Sequence, residues 1–428
     1  MGSYALGLAR RAARRGTHDR RVNWSALWDF RTGSLADVIG GVRPTVTRAS
    51  TAWAFNAAGV LTAYPADVLR IVPSPAGVMS ALVEATSTNL ITNGEGVGAA
   101  GAAVPTGWQV QQQFGGLSPD SWVSGVDAKG CGYAQFRVNG VTTVANRCLL
   151  SYTGARVAVA AAVPVTFSSS LALVAGVGYD MQMVYLWYDA GGALLSQTVG
   201  AVRTPGAYAR YAETVTPPAN AVTCNARWDF VGYNGAVGTA VNFTLRLAAA
   251  QLEAMPFATS YIPTSGAAVT RAGDFIALPF APGLSITEGT LFCSYEAYAT
   301  VVAARTYAIN LVDGGLARLA LRASDPGEIY PKAVVGDGAV NTTFSVNNAF
   351  NADNKVALAY SSAGTTLARN GASAATPTAW AGGSSLPATV YVGCTVAPGG
   401  NQLNGYIRLF GTLRSRLSDA QLQALTAA

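Results

Sequence analysis

Short segments in which apolar residues alternate with other residues, each ending in turn residues, recur along the chain and limit the folds it can adopt. Between Asp180 and Tyr188, every second side chain falls on the same face of an extended strand, and residues 189–192 (Asp-Ala-Gly-Gly) then reverse the chain. The apolar residues on one face are Met181, Met183, Tyr185 and Trp187. This pattern predicts an antiparallel hairpin with one face in a core.

The same alternation continues along the chain. Trp53 and Phe55 alternate with small residues and precede a turn at residues 56–59, which predicts a second hairpin. With 47 glycines and a length of 428 residues, the chain is rich in turns and too long for one core. The sequence therefore predicts a mainly β fold of tandem antiparallel β-sandwiches.

The C-terminal part repeats the pattern and ends in a helix. A turn at Asn370-Gly371 follows one alternating strand, and a later strand places Val390, Val392 and Cys394 toward a core. Ser418 and Gln421 have the spacing of a capping box, with Leu417 and Leu422 as its hydrophobic staple. We expect a short terminal helix that packs on a sheet.

Four segments are expected from these signals: a basic arm at 1–22, a small β module at 23–88, a sandwich at 89–262 and a second sandwich at 263–428. The string Val-Thr-Arg-Ala occurs at 46–49 and again at 269–272, and we interpret it as a domain entrance that is used twice. Pro256 and Pro263 donate no ladder hydrogen bonds, which predicts that strand pairing stops there. Residues 264–268 would then be a linker.

The net charge of +6 is concentrated in the arm. Residues 1–21 contain six arginines against Asp19, whereas the rest of the chain holds 22 basic and 21 acidic residues. A neutral body argues against nucleic-acid binding by the folded domains. No apolar segment follows the arginine pairs, so we expect no export signal, and no stretch has the density of a membrane span.

The catalytic inventory is small. His18, the only histidine, lies in the arm, which excludes a Ser-His or Cys-His triad and a His-rich metal site in the body. Most candidate acids fall at turn signals, where Asp side chains cap the backbone. The sequence thus predicts no enzyme, no cofactor and no metal.

Other polar and sulfur-containing residues have a structural interpretation. Glu84 and Glu253 each lie in an apolar run, and we expect each to bind nearby backbone or the matching Arg48 or Arg271, because a buried carboxylate needs a partner. Five cysteines are widely spaced with no Cys-x-x-Cys, which predicts reduced, buried thiols. They are Cys131, Cys148, Cys224, Cys293 and Cys394.

Several of these stretches carry a resemblance. FRTG at 30–33, VRPTVTRASTAWAFNAAGVL at 42–61 and LVEATSTNLITNG at 82–94 resemble the opening module of bacteriophage head-spike and tail-fibre proteins. GWQV, YLWYDAGGALL and QLEAMPFATSYIPT resemble a jelly-roll domain of the carbohydrate-binding-module type. The C-terminal NGYIRLFGTLRSRLSDAQLQAL is similar to the last strand and helix of laminin-G or concanavalin-like sandwiches. The resemblance to laminin-G domains implies, as an alternative to a metal-free protein, a calcium ion held by the turn carboxylates of Asp313, Asp337 and Asp353.

The resemblance implies a non-enzymatic virion protein, a tail fibre or head fibre or spike on the particle surface. Its implied partners are a tail, portal or capsid protein, a host-surface glycan and further copies of itself in a homo-oligomer, of which a trimer is one form. The competing hypothesis is a glycan-active enzyme or a secreted lectin of bacterial origin.

Two sets of residues are candidates for these contacts. Sandwich lectins stack aromatic rings on sugars, and the candidates are Trp108, Trp122, Tyr188, Tyr233 and Trp380, whereas Trp187 and Trp228 lie in apolar strands and are expected in the core. For the arm, we expect a short segment that orders on docking into a protein socket. Its anchoring residues would be Tyr4, Leu8, Arg10, Arg11, Arg14 and Arg15.

Overall fold

A computed structural model describes most of the chain after the arm. The described residues are 22–112, 115–144, 149–151, 156–231, 236–279, 284–298, 306–312, 317–324, 331–337, 341–345, 353–376, 380, 389–395 and 401–427. They form two compact units. Unit 1 comprises residues up to Thr47, Leu69–Ala85 and Asp274–Ala428, and unit 2 comprises Arg48–Val68 and Thr86–Gly273.

The described residues are mainly β. The first strands along the chain are β1 (Ala26–Asp29), β2 (Thr45–Thr47), β3 (Ala52–Phe55), β4 (Leu61–Tyr64), β5 (Arg70–Pro73), β6 (Met79–Val83), β7 (Ser87–Asn89), β8 (Ala100–Gly101), β9 (Gln109–Gln112), β10 (Ser121–Val126), β11 (Gly132–Val141), β12 (Leu149–Ser151), β13 (Val157–Ala158), β14 (Val165–Gly176), β15 (Met181–Tyr188), β16 (Leu194–Arg203), β17 (Ala209–Val215), β18 (Thr223–Phe230), β19 (Ala240–Glu253) and β20 (Val269–Arg271). The remaining strands are β21 (Phe275–Pro279), β22 (Gly289–Ala297), β23 (Thr306–Val312), β24 (Ala317–Ser324), β25 (Lys332–Asp337), β26 (Asn341–Ser345), β27 (Asn354–Ser361), β28 (Gly364–Arg369), β29 (Ala372–Thr376), β30 (Thr389–Val392) and β31 (Gly405–Leu413), followed by the helix α1 (Asp419–Ala427).

Unit 1 is an antiparallel β-sandwich. One sheet has the order β29-β28-β27-β22-β31-β6-β5, with β1 also paired to β31, and the other has the order β2-β21-β30-β23-β24-β25-β26. Buried residues from both sheets share one core, which includes Leu291, Leu358, Ile309 and Val392. The alternation predicted for the C-terminal part of the chain is confirmed, because Val390, Val392 and Cys394 are all buried.

The predicted terminal helix is confirmed as α1. The Ser418 backbone N–H donates to Gln421 Oε1 at 2.9 Å, and the Gln421 N–H donates to Ser418 Oγ at 3.3 Å, which is a complete capping box. Leu422 and Leu425 are buried against Phe292, with Leu417 partly buried beside them.

Unit 2 is a second antiparallel β-sandwich. Its sheets have the orders β17-β14-β19-β11-β10-β8 and β16-β15-β18-β12-β9, with β13 paired to β18, and two small sheets pair β3 with β4 and β7 with β20. Both predicted hairpins are confirmed as β3-β4 and β15-β16. The core contains the predicted face of β15 together with Trp187 and Trp228, both with no exposed surface.

The division of the chain differs from the segments expected from the sequence. Residues 23–88 do not stay together: β1, β2, β5 and β6 belong to the sheets of unit 1, whereas β3, β4 and β7 belong to unit 2. The physical reason is that these short strands complete sheets whose other strands lie up to about 380 residues away along the chain, such as β1 on β31.

The repeated Val-Thr-Arg-Ala string lies at two crossings between units. The chain passes from unit 1 to unit 2 after Thr47 and returns to unit 1 at Asp274. The second copy does not enter the next sandwich, because β20 pairs with β7 inside unit 2. The residues before it also carry structure: Thr264 Oγ1 donates to the Ile91 carbonyl oxygen at 2.7 Å, so residue 264 is tied into unit 2.

In the described part of the chain, no helix is long and apolar enough to cross a membrane.

Candidate functional site

Two of the predicted sugar-stacking residues in unit 2 are core residues. Trp108 is 4% exposed, and its Nε1 donates to the Asn93 carbonyl oxygen at 2.8 Å. Trp122 is 1% exposed and packs on Phe136 with ring centroids 4.8 Å apart. Sugar stacking needs an exposed ring, so the prediction for these two residues is wrong: the hydrogen bond to Asn93 holds Trp108 inside, and alternation on β10 directs Trp122 inward.

Trp380 in unit 1 is also buried. Its Nε1 donates to the Ile286 carbonyl oxygen, and its ring lies edge-to-face with Tyr360 at a centroid distance of 6.0 Å. With 5% of its surface exposed, the ring is not available to a sugar in this conformation. The Gly- and Ser-rich residues around Trp380 in the sequence give no indication of this contact with Tyr360, so the prediction of an exposed ring is wrong.

Tyr188 is the predicted stacking residue that lies at the surface among those described. It is half-buried at the end of β15, and the guanidinium carbon of the exposed Arg156 lies 3.4 Å from its ring centroid. Arg156 is held there because its Nη1 donates to the Gly192 carbonyl oxygen at 2.8 Å. One face of the ring is therefore occupied by a cation. Tyr233 lies outside the described residues, as do the arm residues Tyr4, Leu8, Arg10, Arg11, Arg14 and Arg15.

A different surface of unit 2 gathers polar side chains on regular strands. On β11, Ala134, Phe136 and Val138 are buried, so the alternate residues face away from the core, and the same alternation holds on β19 up to Leu247. We call this surface the outer face. It is formed by Tyr133, Gln135 and Arg137 of β11 and by Asn242, Thr244 and Arg246 of β19.

Hydrogen bonds across β11 and β19 fix these side chains in place. Gln135 lies opposite Arg246, and its Oε1 accepts from Arg246 Nε at 3.3 Å and from Nη2 at 3.0 Å. The Arg246 guanidinium carbon also lies 4.0 Å from the ring centroid of Tyr133. A cation, an amide and an aromatic ring thus share one partly exposed spot on a rigid sheet.

The neighbouring row of the outer face is more open. Arg137 Nε donates to Asn242 Oδ1 at 3.4 Å and lies 3.7 Å from Asp120 Oδ2. Both charged side chains are about 40% exposed, at 43% and 38%. An ion pair this exposed is weak and can exchange its partner for a ligand group.

The other end of the same sheet surface is covered. Gln251 and Glu253 have no exposed surface, and Gln251 Oε1 accepts from the Ile262 backbone N–H at 2.7 Å. Glu253 accepts from the Thr259 backbone N–H at 3.0 Å and from Ser87 Oγ at 2.6 Å. The predicted bonding of Glu253 to nearby backbone is confirmed, and this region is structural.

Beside the covered end lies a cluster of one thiol and two phenols, whose pKa values are raised. Burial raises the pKa of Cys131 and of Tyr208, and it raises the pKa of Tyr261 well above its ordinary value. Lys129 Nζ lies 4.5 Å from the ring centroid of Tyr208. These phenols and this thiol therefore stay neutral, which suits hydrogen bonding and not nucleophilic chemistry.

Glu84 in unit 1 is bound by an arginine other than the one expected. It pairs with Arg70, whose Nη1 is 2.8 Å from Glu84 Oε2 and whose Nη2 is 2.6 Å from Asp274 Oδ2. Arg48 instead donates to the carbonyl oxygens of Ser50, Tyr64 and Pro65. Burial disfavours the Arg70 cation, but the charges of Asp274 and Glu84 outweigh this and raise its pKa. No solvent reaches these carboxylates.

The described part of the chain contains no cluster of three or more His, Cys, Asp or Glu side chains that could hold a metal ion. Of the calcium candidates, Asp353 pairs with Arg408 Nη1 at 2.8 Å, while Asp313 and the side chain of Asp337 lie outside the described residues. The four cysteines that are described, Cys131, Cys224, Cys293 and Cys394, are buried and unpaired, as predicted, and Cys148 lies outside the described residues.

The outer face is absent from the predicted site residues, although the sequence contains a signal for it. The stretch GYAQFRVNG alternates small or apolar residues with Tyr133, Gln135 and Arg137, and VNFTLRL does the same with Asn242 and Arg246. Period-2 alternation places each set on one face, but only the pairing of β11 with β19 brings the two sets together.

Comparisons with known proteins are limited to solved structures. No protein-family model matches the chain, and no curated protein matches it. The carbohydrate-binding module of the Ruminococcus gnavus intramolecular trans-sialidase, solved with α2,3-sialyllactose, aligns with 34% of this chain and 84% of its own at 19% identity and a TM-score of 0.28.

Two further solved structures are similar to the chain at equally low identity and TM-score. The Trypanosoma rangeli sialidase solved with sialic acid aligns with 72% of this chain and 62% of its own, at 11% identity and a TM-score of 0.29. Domains LG4-5 of the mouse laminin α1 chain align with 58% of this chain and 83% of their own, at 12% identity and a TM-score of 0.24. Similarities this low transfer neither a ligand nor an activity to the chain.

Proposed function

We propose that this chain is a non-enzymatic, glycan-binding β-sandwich protein, and that unit 2 holds the glycan on its outer face. The observation that carries the proposal is the arrangement of Arg246, Gln135 and Tyr133 on paired strands. Sugars are bound by planar polar groups that bond hydroxyls and by rings that contact the sugar face. Strand-borne side chains supply these groups in fixed positions at a low cost in conformational entropy.

The state of the acidic residues supports a binding role over a hydrolytic one. Glycoside hydrolysis in most families needs two accessible carboxylates on either side of the scissile bond. Among the described residues, the buried carboxylates of Glu84, Asp274 and Glu296 are each ion-paired, and Glu253 is held by hydroxyl and backbone donors, so none of these four is accessible to a substrate. A glycan-active enzyme remains the alternative, and depolymerisation of a polysaccharide that one Asp or Glu substitution abolishes would establish it.

The sequence resemblance to phage head-spike and tail-fibre proteins supports a place on a virion. We propose that the N-terminal arm docks into a tail, portal or capsid protein and that the two sandwiches attach the particle to the host surface, with the chain acting in a homo-oligomer. Deleting residues 2–21 should leave a folded body that no longer joins particles. Normal occupancy of the truncated protein on virions would contradict this anchor.

Binding of the purified protein to a panel of bacterial surface polysaccharides tests the glycan site. The double substitution Gln135→Ala/Arg246→Ala should weaken binding at least about tenfold, because it removes the main polar contacts of the outer face. The matched control Tyr188→Ala/Arg156→Ala removes a second arginine–aromatic pair at the surface of unit 2 and should leave affinity within about twofold. Loss of binding in the control alone would show that the glycan binds at Tyr188 and not on the outer face. Absence of binding across the panel would refute the proposal.

A further inference from the structure

The outer face carries an arginine whose charge is not balanced by a nearby acid. Among the described residues, no carboxylate lies within ion-pair distance of Arg246, and its guanidinium is bound by the neutral Gln135. Three other arginines of unit 2 differ in this respect, because Arg137, Arg203 and Arg227 have a carboxylate oxygen at 3.7, 3.8 and 2.7 Å. Arg246 therefore presents a positive charge on a partly exposed side chain that Gln135 and Tyr133 contact.

The contacts of Arg246 leave part of its guanidinium available. Gln135 Oε1 accepts from Nε and Nη2, and the Tyr133 ring covers one face, whereas Nη1 donates no hydrogen bond among the described residues. Across the adjacent strand β14, the residue opposite Arg246 is the half-buried Ala172. The alanine methyl group offers no hydrogen-bond acceptor or counter-charge to the guanidinium on that side.

The chemistry of this group selects its ligand. A planar guanidinium with free N–H groups matches the two oxygens of a carboxylate, and such charge-assisted bonds are about twice as strong as neutral ones. Gln135 holds the guanidinium orientation in advance, so less entropy is lost on binding. From this geometry we propose that Arg246 binds the carboxylate of an acidic sugar, such as a uronic acid unit of a surface polysaccharide. This inference rests on the proposed function and specifies its ligand class.

The probes are oligosaccharides of galacturonate, glucuronate and mannuronate, each compared with its methyl ester, which keeps the sugar and removes the charge. The acid forms should bind at least about tenfold more tightly than the esters, and the difference should shrink at high salt because the site is partly exposed. Binding would be measured by titration calorimetry on the full chain.

Three variants separate charge from geometry. Arg246→Gln should abolish the preference for the acid forms, and Gln135→Glu should do so too, because the new carboxylate would neutralise Arg246 while leaving it in place. Arg203→Gln, in the other sheet, is the matched control and should retain the full preference.

The outcomes distinguish the two proposals. Equal binding of acids and esters, or an acid preference that survives in both Arg246→Gln and Gln135→Glu, would overturn the acidic-sugar inference while the glycan-binding function stands. Binding to neutral polysaccharides alone would likewise overturn the acidic-sugar inference and leave the glycan-binding function standing. No binding to any saccharide would remove both.

Discussion

Replacing Arg70 with Met should destabilise unit 1 strongly. Arg70 is fully buried between Glu84 and Asp274, which also have no exposed side-chain surface. Removing one partner from a buried ion pair costs about 3–5 kcal/mol because it leaves an uncompensated charge. Here two carboxylates lose their shared cation. Asp274 keeps a bond from the Glu84 backbone N–H at 2.9 Å, so we expect a loss of about 4 kcal/mol.

A companion variant tests whether charge is the cause. In Arg70→Met/Glu84→Gln/Asp274→Asn, all three buried charges of this cluster are removed, so at least about half of the lost stability should return. The control Arg416→Met removes a partly exposed pair with Asp419, which lies 3.2 Å away, and should cost at most about 1 kcal/mol.

The assay is urea unfolding monitored by hydrogen exchange of peptides that cover β6 and β31. Peptides of unit 1 are needed as the probe because two units can unfold in separate transitions. A loss below about 1 kcal/mol for Arg70→Met would refute the argument that the buried charges need this cation. A triple variant no more stable than the single one would show that lost packing around the arginine, and not charge, sets the cost.

Two further predictions concern thiols and the terminal helix. Burial raises the pKa of Cys224 and of Cys394 to about 12 from 9.0, so the stability they contribute is complete below pH 9 and is lost as the pH rises from 9 to about 12. A Cys148→Ser variant should accordingly show no reaction with a thiol reagent at pH 8 until denaturant is added, and rapid labelling of the native protein would contradict the buried, reduced assignment. Ser418→Ala removes the N-cap acceptor of α1 and should cost about 1 kcal/mol, whereas Ser418→Asp should retain most of that stability. Thermal unfolding of the two variants and the unchanged protein measures the difference. Equal stabilities of the three proteins would contradict the capping assignment.

The candidate site was predictable in its parts but not as a whole. The sequence alone places Tyr133, Gln135 and Arg137 on one side of a strand, because the side-chain period of a strand is two. It does not specify that Gln135 lies opposite Arg246, since this register joins residues 111 positions apart. The aromatic residues were misleading: Trp122 and Trp380 were candidates for sugar stacking, whereas both rings are buried, Trp122 against Phe136 of the neighbouring strand and Trp380 beside Tyr360.

Features that depend on neighbours along the chain could be predicted from the sequence. The hairpins β3-β4 and β15-β16 and the Ser418–Gln421 cap follow from alternation, turn residues and short-range hydrogen bonds. The sheet that each strand joins could not be predicted in this way: β1, β5 and β6 complete unit 1, while β3, β4 and β7 lie in unit 2. That Glu84 is bound by Arg70 and not by Arg48 could not be predicted either. The physical reason is that strand pairing and charge burial are satisfied by whichever backbone edge or counter-ion the folded chain brings close, and sequence separation does not encode that distance.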